Sequence, residues 1–253
     1  MRVFITGASS GLGAALAAHY AAQGAQLGLV ARRADALAEV ARRLPAPAAT
    51  YVADVADAAA LAAAAKDFLS RFGVPDIVIA NAGVSVGTLT ECAEDLAVFR
   101  RVMDVNVFGM AATFSPFIPA MRAAGRGRLV GVASVAGIRG LPGAEAYSAS
   151  KAAAVAYLES LRLEMVGSGV RVVTIVPGYI ETPMTAVNPY PMPFLLPAAE
   201  AARRFARSIA AGTSYAVIPW QMGLVAKLLR LLPNALYDRL FARAPRKPRG
   251  LWI

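Results

Sequence analysis

Cysteine and histidine are almost absent from the sequence: Cys92 and His19 are the only examples in 253 residues. One cysteine excludes a disulfide within the chain and suits a reducing compartment. Neither residue has neighbours spaced as metal ligands, so no metal site is readable. Acids are scarce too, with 16 Asp and Glu against 26 Lys and Arg, a net charge of +10. Such a balance can draw nucleic acid, anionic lipid or phosphorylated ligands. The cations, however, are dispersed in pairs such as Arg32-Arg33, Arg42-Arg43, Arg100-Arg101 and Arg203-Arg204 without interleaved aromatics, and no nucleic-acid partner is expected. Also missing is any uninterrupted run of about 18 apolar residues, the length of a membrane span. The nearest stretch, 215–232, is broken by Pro219, Gln221, Lys227 and Arg230. Met1 leads at once into an apolar run with no charged leader, which predicts a cytoplasmic protein.

What the sequence does carry is alternation. Apolar runs at 3–5, 26–31, 49–53, 77–80, 127–133, 170–176 and 215–219 are separated by helix-forming stretches near 11–24, 34–44, 58–72, 93–124 and 147–166. Short strands that are apolar on both faces and joined by helices predict an α/β fold with a doubly wound parallel sheet. No linker or internal repeat interrupts the order, so one domain is expected over 1–220, with a C-terminal helical extension and basic tail over 221–253.

The first strand ends in Thr6-Gly7-Ala8-Ser9-Ser10-Gly11-Leu12-Gly13, and an alanine-rich helix follows. A strand, a glycine-rich turn and a helix in that order form an anion site, because unpaired N–H groups and the positive helix end face the ligand. The second strand ends at Ala31-Arg32-Arg33. In dinucleotide-binding folds an acid at this place holds a free ribose 2′-hydroxyl, whereas arginine accommodates a 2′-phosphate. The absence of an acid and the two guanidinium groups predict NADP(H) in preference to NAD(H). Asp54-Val55 follow the third strand, where Asp54 suits either the adenine amine or the cap of the next turn. Asn81-Ala82-Gly83 close the fourth strand with small residues that let a cofactor lie near.

Tyr147 and Lys151 share one face of a helix, since they are four residues apart. A phenol beside an ammonium ionises more easily and can serve as general acid or base. Alone, the pair is more often a core tyrosine beside a snorkelling lysine; the other residues decide. Ser134 puts a hydroxyl at the end of the fifth strand, and Asn106 puts an amide in a helix, where such a group usually makes buried hydrogen bonds.

Taken in order, Thr6-Gly7-x-x-x-Gly11-x-Gly13, Asn81-Ala82-Gly83, Asn106, Ser134, Tyr147-x-x-x-Lys151 and Pro177-Gly178 resemble the short-chain dehydrogenase/reductase family over residues 1 to about 220. The resemblance implies a Rossmann fold and a catalytic tetrad of Asn106, Ser134, Tyr147 and Lys151. Tyr147 would exchange a proton with the substrate oxygen and Ser134 would hold that oxygen. Lys151 would bind the nicotinamide ribose and lower the Tyr147 pKa, while Asn106 would keep a water in a proton relay. Further cofactor contacts are implied at Ile180 and Thr182, besides Pro177 and Gly178.

Family members place a lid at about 179–207, and here that segment holds Met184, Val187, Tyr190, Met192, Phe194, Leu195 and Leu196. Either these residues greet an apolar ketone or alcohol, or they pack on the core. Beyond 220, leucines at 224, 228, 231 and 232 recur at helical spacing in two short helices split by Pro233, followed by a basic tail with Trp252. Such a stripe must be buried by the protomer's own lid, by a second subunit or by lipid. A homo-oligomer, a dimer before a tetramer, is expected, with peripheral membrane contact as the alternative.

Overall fold

The structure, a computed structural model, describes residues 1–250; Trp252 lies outside the described residues. The strands are β1 (Arg2–Thr6), β2 (Gln26–Ala31), β3 (Ala49–Val52), β4 (Ile77–Ala80), β5 (Gly127–Val132), β6 (Val170–Pro177), β7 (Ile180–Glu181), β8 (Leu196–Pro197) and β9 (Tyr215–Ile218). The helices are α1 (Gly11–Ala21), α2 (Ala34–Arg42), α3 (Ala58–Phe72), α4 (Asp95–Met103), α5 (Gly109–Phe114), α6 (Ile118–Ala123), α7 (Glu145–Glu164), α8 (Pro183–Ala186), α9 (Ala198–Ala211), α10 (Trp220–Leu231) and α11 (Asn234–Phe241).

Seven strands make one parallel sheet in the order β3-β2-β1-β4-β5-β6-β9, the doubly wound arrangement expected from the alternation. Parallel neighbours cannot be joined by hairpins, so helices make the crossovers and cover both faces. On one face Leu16, Tyr20, Phe205 and Ile209 pack over Ile5, Leu29 and Val173. On the other, Phe68, Phe114 and Leu158 cover Phe4, Val78 and Leu129. Burying each of these side chains contributes about 1.5–3 kcal/mol. The sheet order reverses between β1 and β4, which leaves a crevice at the carboxyl ends of the strands.

The stretch 93–124, expected as one helical run, is broken. After α4 the backbone takes a π-helical turn over Asp104–Phe108, resumes as α5, and stops before α6. Two causes are visible. A Cβ on Gly109 would lie 2.7 Å from Val55 Cγ2, so the chain presses close to α3's leading loop there. Pro119 sits in the first turn of α6, where a missing N–H does no harm, and it marks a new start.

Candidate active site

The crevice is a cleft of about 460 Å³ lined by the ends of β1, β2, β4, β5 and β6. At its floor, α1 begins after Ser10 with no side-chain cap and no acid in its first turn. Its leading N–H groups are therefore available to an anion. Gly7 and Gly11 take positive φ, +69° and +52°. A Cβ on Gly13 would come within 2.1 Å of the Gly7 carbonyl, so no other residue fits. Ser9, Ser10 and Leu12 complete this wall, and the donor set suits a dinucleotide phosphate.

Arg32 and Arg33 both border the cleft. The Arg33 guanidinium donates to Ser10 Oγ at 2.9 Å and Ser9 Oγ at 3.4 Å, which gathers a charge and two hydroxyls at one corner. Arg32 stands 3.9 Å from Asp54, half exposed. Asp54 caps the turn that follows, Oδ1 accepting the Ala56 N–H at 2.9 Å while Oδ2 pairs with Arg101, and it also borders the cleft. Burial pushes this carboxyl up, yet the Ala56 N–H and Arg101 outweigh it and hold the group below the usual range. Val55 lies beside it on the cleft wall.

Thr6 is placed beneath the cleft. Its hydroxyl donates to the Ile79 carbonyl at 3.4 Å and accepts the Ala82 N–H at 3.3 Å, tying β1 to the loop after β4. Asn81 strengthens the same junction by donating to the Thr6 carbonyl at 3.1 Å. Asn81, Ala82 and Gly83 then face the cleft, as do Pro177, Gly178, Ile180 and Thr182 from the far side.

Ser134, Tyr147 and Lys151 meet on one wall. Ser134 follows β5 by two residues and caps the next turn, its Oγ accepting the Ala136 N–H at 3.2 Å. Tyr147 stands in the first turn of α7 and Lys151 one turn further on, 4% exposed, its Nζ donating to the Val132 carbonyl at 2.9 Å. Burial pulls the Lys151 ammonium down to about 8. Burial also raises the Tyr147 phenol above its ordinary value; the Ser134 hydroxyl beside it opposes this, and Tyr179 adds to it. The expected easing of Tyr147 ionisation is not what the balance gives, because desolvation wins and the phenol keeps its proton near neutral pH.

Asn106 is fully buried in the π-helical turn and does not border the cleft. Its Oδ1 accepts the Val84 N–H at 2.8 Å, and its Nδ2 donates to the Val84 carbonyl at 3.0 Å and to Ser150 Oγ at 2.9 Å. Both N–H donors of the amide are used by these partners. Gly83 leaves the gap between Asn106 and Lys151, since a Cβ there would lie 3.2 Å from Asn106 Oδ1 and 3.5 Å from Lys151 Nζ.

Sequence reading missed several wall residues, among them Val84, Val105 and Thr185, whereas Met184, expected on the lid, does border the cleft. Ser150, inside Tyr147-Ser-Ala-Ser-Lys151, was overlooked as the partner of Asn106, although its position three residues past Tyr147 put it on the same helix. The expected lid divides. β7 and β8 pair and enclose 182–195, where Phe194 and Leu195 are exposed, whereas α9 sends Ala201, Ala202 and Phe205 into the core. Tyr179 and Tyr190 face each other at 6.4 Å, and burial, aided by Tyr179 and Tyr147, pushes Tyr190 up to about 12.

The sequence profile of a family described as short chain dehydrogenase matches residues 1–190. The chain is 39% identical over 237 residues to an uncharacterized oxidoreductase of Myxococcus xanthus (strain DK1622), spanning 92% of this chain and 93% of that one. It is 40% identical over 182 residues to the 2-dehydro-3-deoxy-L-rhamnonate dehydrogenase (NAD(+)) of Sphingomonas sp. (strain SKA58), spanning 71% of this chain and 72% of the relative. Among solved structures, levodione reductase aligns with a TM-score of 0.79 at 29% identity, over 88% of this chain and 97% of the other.

Proposed function

The chain belongs to the short-chain dehydrogenase family, and on that premise we propose that it is a carbonyl reductase exchanging a hydride between NADP(H) and an apolar ketone or secondary alcohol. The observation that carries this reading is the meeting of Ser134, Tyr147 and Lys151 on the wall of the cleft whose floor is the uncapped start of α1. The nicotinamide, when bound, supplies or takes the hydride. Tyr147 gives its proton to the ketone oxygen, and its raised pKa favours the protonated donor that reduction requires. Ser134 steadies the same oxygen through its hydroxyl. Lys151 holds the ribose and keeps a positive charge near the phenol as it loses its proton. Asn106 sets the position of Val84 and Ser150 and acts through them.

Preference for NADP(H) rests on Arg33 with Ser9 and Ser10 at the adenosine corner, and on the lack of an acid after β2. The similar Sphingomonas dehydrogenase is named for NAD(+), and the ratio of NADPH to NADH affinity tests whether this chain differs from it. Oxidation of NADPH, followed over ketones graded in chain length and ring count, tests the activity. Tight NADPH binding with no turnover of any ketone would overturn the enzyme reading in favour of a nucleotide sensor.

For its setting we propose a cytoplasmic homodimer that touches membrane peripherally. Leu96 on α4, Phe108 at the end of the π-helical turn that follows it, and Leu163 and Val166, on and just after α7, are each exposed, and the two helices pack together. An exposed stripe, Trp220, Leu224, Leu228 and Leu231, runs along α10, whose inner face is buried through Met222 and Ala226. The leucines of α10 therefore do not close over the protomer's own lid. No helix among the described residues is long and apolar enough to cross a membrane.

A further inference from the structure

Resting on that reading of the cleft, we infer that the C-terminal tail completes the substrate site and that Lys247 binds an anionic group, a carboxylate or phosphate, carried by the ketone. Residues 246–249 cross the loop that follows Gly83 and are fastened there at several points. The Gly87 N–H donates to the Pro248 carbonyl at 3.1 Å. A Cβ on Gly87 would fall 2.2 Å from the Lys247 carbonyl, so only glycine admits the strap. Arg249 donates to Asp95 at 2.7 Å and to Glu94 at 2.8 Å. The Asp95 side chain is 7% exposed, and losing Arg249 would strand a buried carboxylate.

This docking carries Lys247 inward. Its Nζ donates to Ser85 Oγ at 3.0 Å and to the Met184 carbonyl at 3.2 Å. Met184 and Val84, the residue before Ser85, line the cleft, so Lys247 stands directly behind that wall rather than among the lining residues. Both acceptors are neutral. Among the described residues no carboxylate lies within ion-pair distance of Lys247, in contrast to Arg249 two residues on, which has two. A largely buried ammonium without an anion is costly, and burial pulls this one down to about 8. Lysine has three protons to donate, and two are placed. An anion arriving along the cleft would use the third, restore charge balance and leave the apolar part of the ketone against the lid.

Thermal denaturation of the full chain tests this. NADP⁺ alone should raise the melting temperature; if it does not, the nucleotide reading fails independently of the strap. With NADP⁺ saturating, 4-oxodecanoate, its methyl ester and 2-oxodecyl phosphate are then titrated. At least one of the two anions should bind about tenfold or more tighter than the ester, the scale of a hydrogen bond to a charged group; which of them does so identifies the group recognised. Lys247→Gln should bring that preference within about twofold while the NADP⁺ shift persists, and Lys247→Arg should retain it. An ester that binds the native protein as tightly as both anions, or a preference that survives Lys247→Gln, would overturn the inference.

Discussion

The Lys151 ammonium lies 5.8 Å from the centre of the Tyr147 ring and donates to the Val132 carbonyl. The two groups share one wall of the cleft, Lys151 buried and Tyr147 half-buried. Burial acts on each in favour of its uncharged form, lowering the lysine and raising the tyrosine.

Removing the phenol hydroxyl isolates its role. Tyr147→Phe should lower kcat by about 10²–10⁴, the usual contribution of a positioned acid, and leave NADPH affinity within about threefold. The ring that packs the wall is retained, so a loss of binding comparable to the loss of rate would assign Tyr147 to the cofactor instead. Steady-state kinetics with fluorescence titration of NADPH separates the two.

The lysine makes a prediction about pH. Below about 8 the folded and unfolded chains both hold the Lys151 proton, and the cost of burying it is fully present. Between about 8 and the ordinary 10.5 only the unfolded chain stays protonated, so unfolding takes up a proton and stability increases with pH. Lys247 acts in the same direction over the same window. Tyr147 opposes them only above 10, where the unfolded phenol ionises first. The melting temperature of the cofactor-free protein should therefore rise between pH 7.5 and 9.5, and Lys151→Met should flatten the rise. A fall across that range in the native protein would show that burial of these amines does not govern it.

Much of this wall was legible in the sequence, because the features that build it are local. Gly7, Gly11 and Gly13 announce a tight turn before a helix, and Tyr147 and Lys151 share a helix face by spacing alone. The strands were legible because burial on both faces leaves unbroken apolar runs. What escaped depends on contacts distant in sequence. The close approach of Gly109 to Val55 spans more than fifty residues of sequence, and the hydrogen bonds of Asn106 depend on Val84 and Ser150. The direction of the Tyr147 shift needed the depth of burial, which spacing does not give. Arg249 read as one more cation of a basic tail until its two carboxylates, 154 and 155 residues away, were in view.

Cofactor choice should follow the guanidinium that gathers Ser9 and Ser10. The native protein is expected to bind NADPH at least about tenfold tighter than NADH, since a paired phosphate contact contributes on the order of 1.5–3 kcal/mol. Arg33→Asp should narrow or reverse the ratio by repelling the 2′-phosphate. Equal dissociation constants in the native protein would remove the basis for the NADP assignment.

Asn106→Ala tests positioning. The substitution leaves the Val84 N–H and carbonyl, both on a buried residue, without their partner. An unsatisfied buried group costs about 1–3 kcal/mol, which in a chain of this size lowers the melting temperature by roughly 2–10 °C. Because Val84 lines the cleft and Ser150 shares a turn with Lys151, kcat should fall as well. A rate loss with no change in melting temperature would mean that Asn106 acts directly on the chemistry.

The exposed apolar residues of α4 and α7 and those of α10 differ in the charge around them, and this sets which proposed partner each would suit. On α4 and α7 these cations are matched: Arg100 by Asp104, Arg101 by Asp54 and Arg162 by Glu159. Such a surface can meet its own copy across a two-fold axis without net repulsion. Along α10 and α11 the stripe of Trp220, Leu224, Leu228 and Leu231 is accompanied by Lys227, Arg230 and Arg239, with Asp238 the single acid from 219 to 253. Pairing that face with itself would bring like charges together, whereas an anionic bilayer accepts both the leucines and the cations. Leu163→Arg should therefore turn a dimer into a monomer in mass measurements and leave flotation with phosphatidylglycerol vesicles intact. Leu228→Glu with Leu231→Glu should abolish flotation, which should also weaken with salt, and leave the mass unchanged. If the α10 variant lowers the mass instead, that helix belongs to the subunit interface and the membrane contact falls.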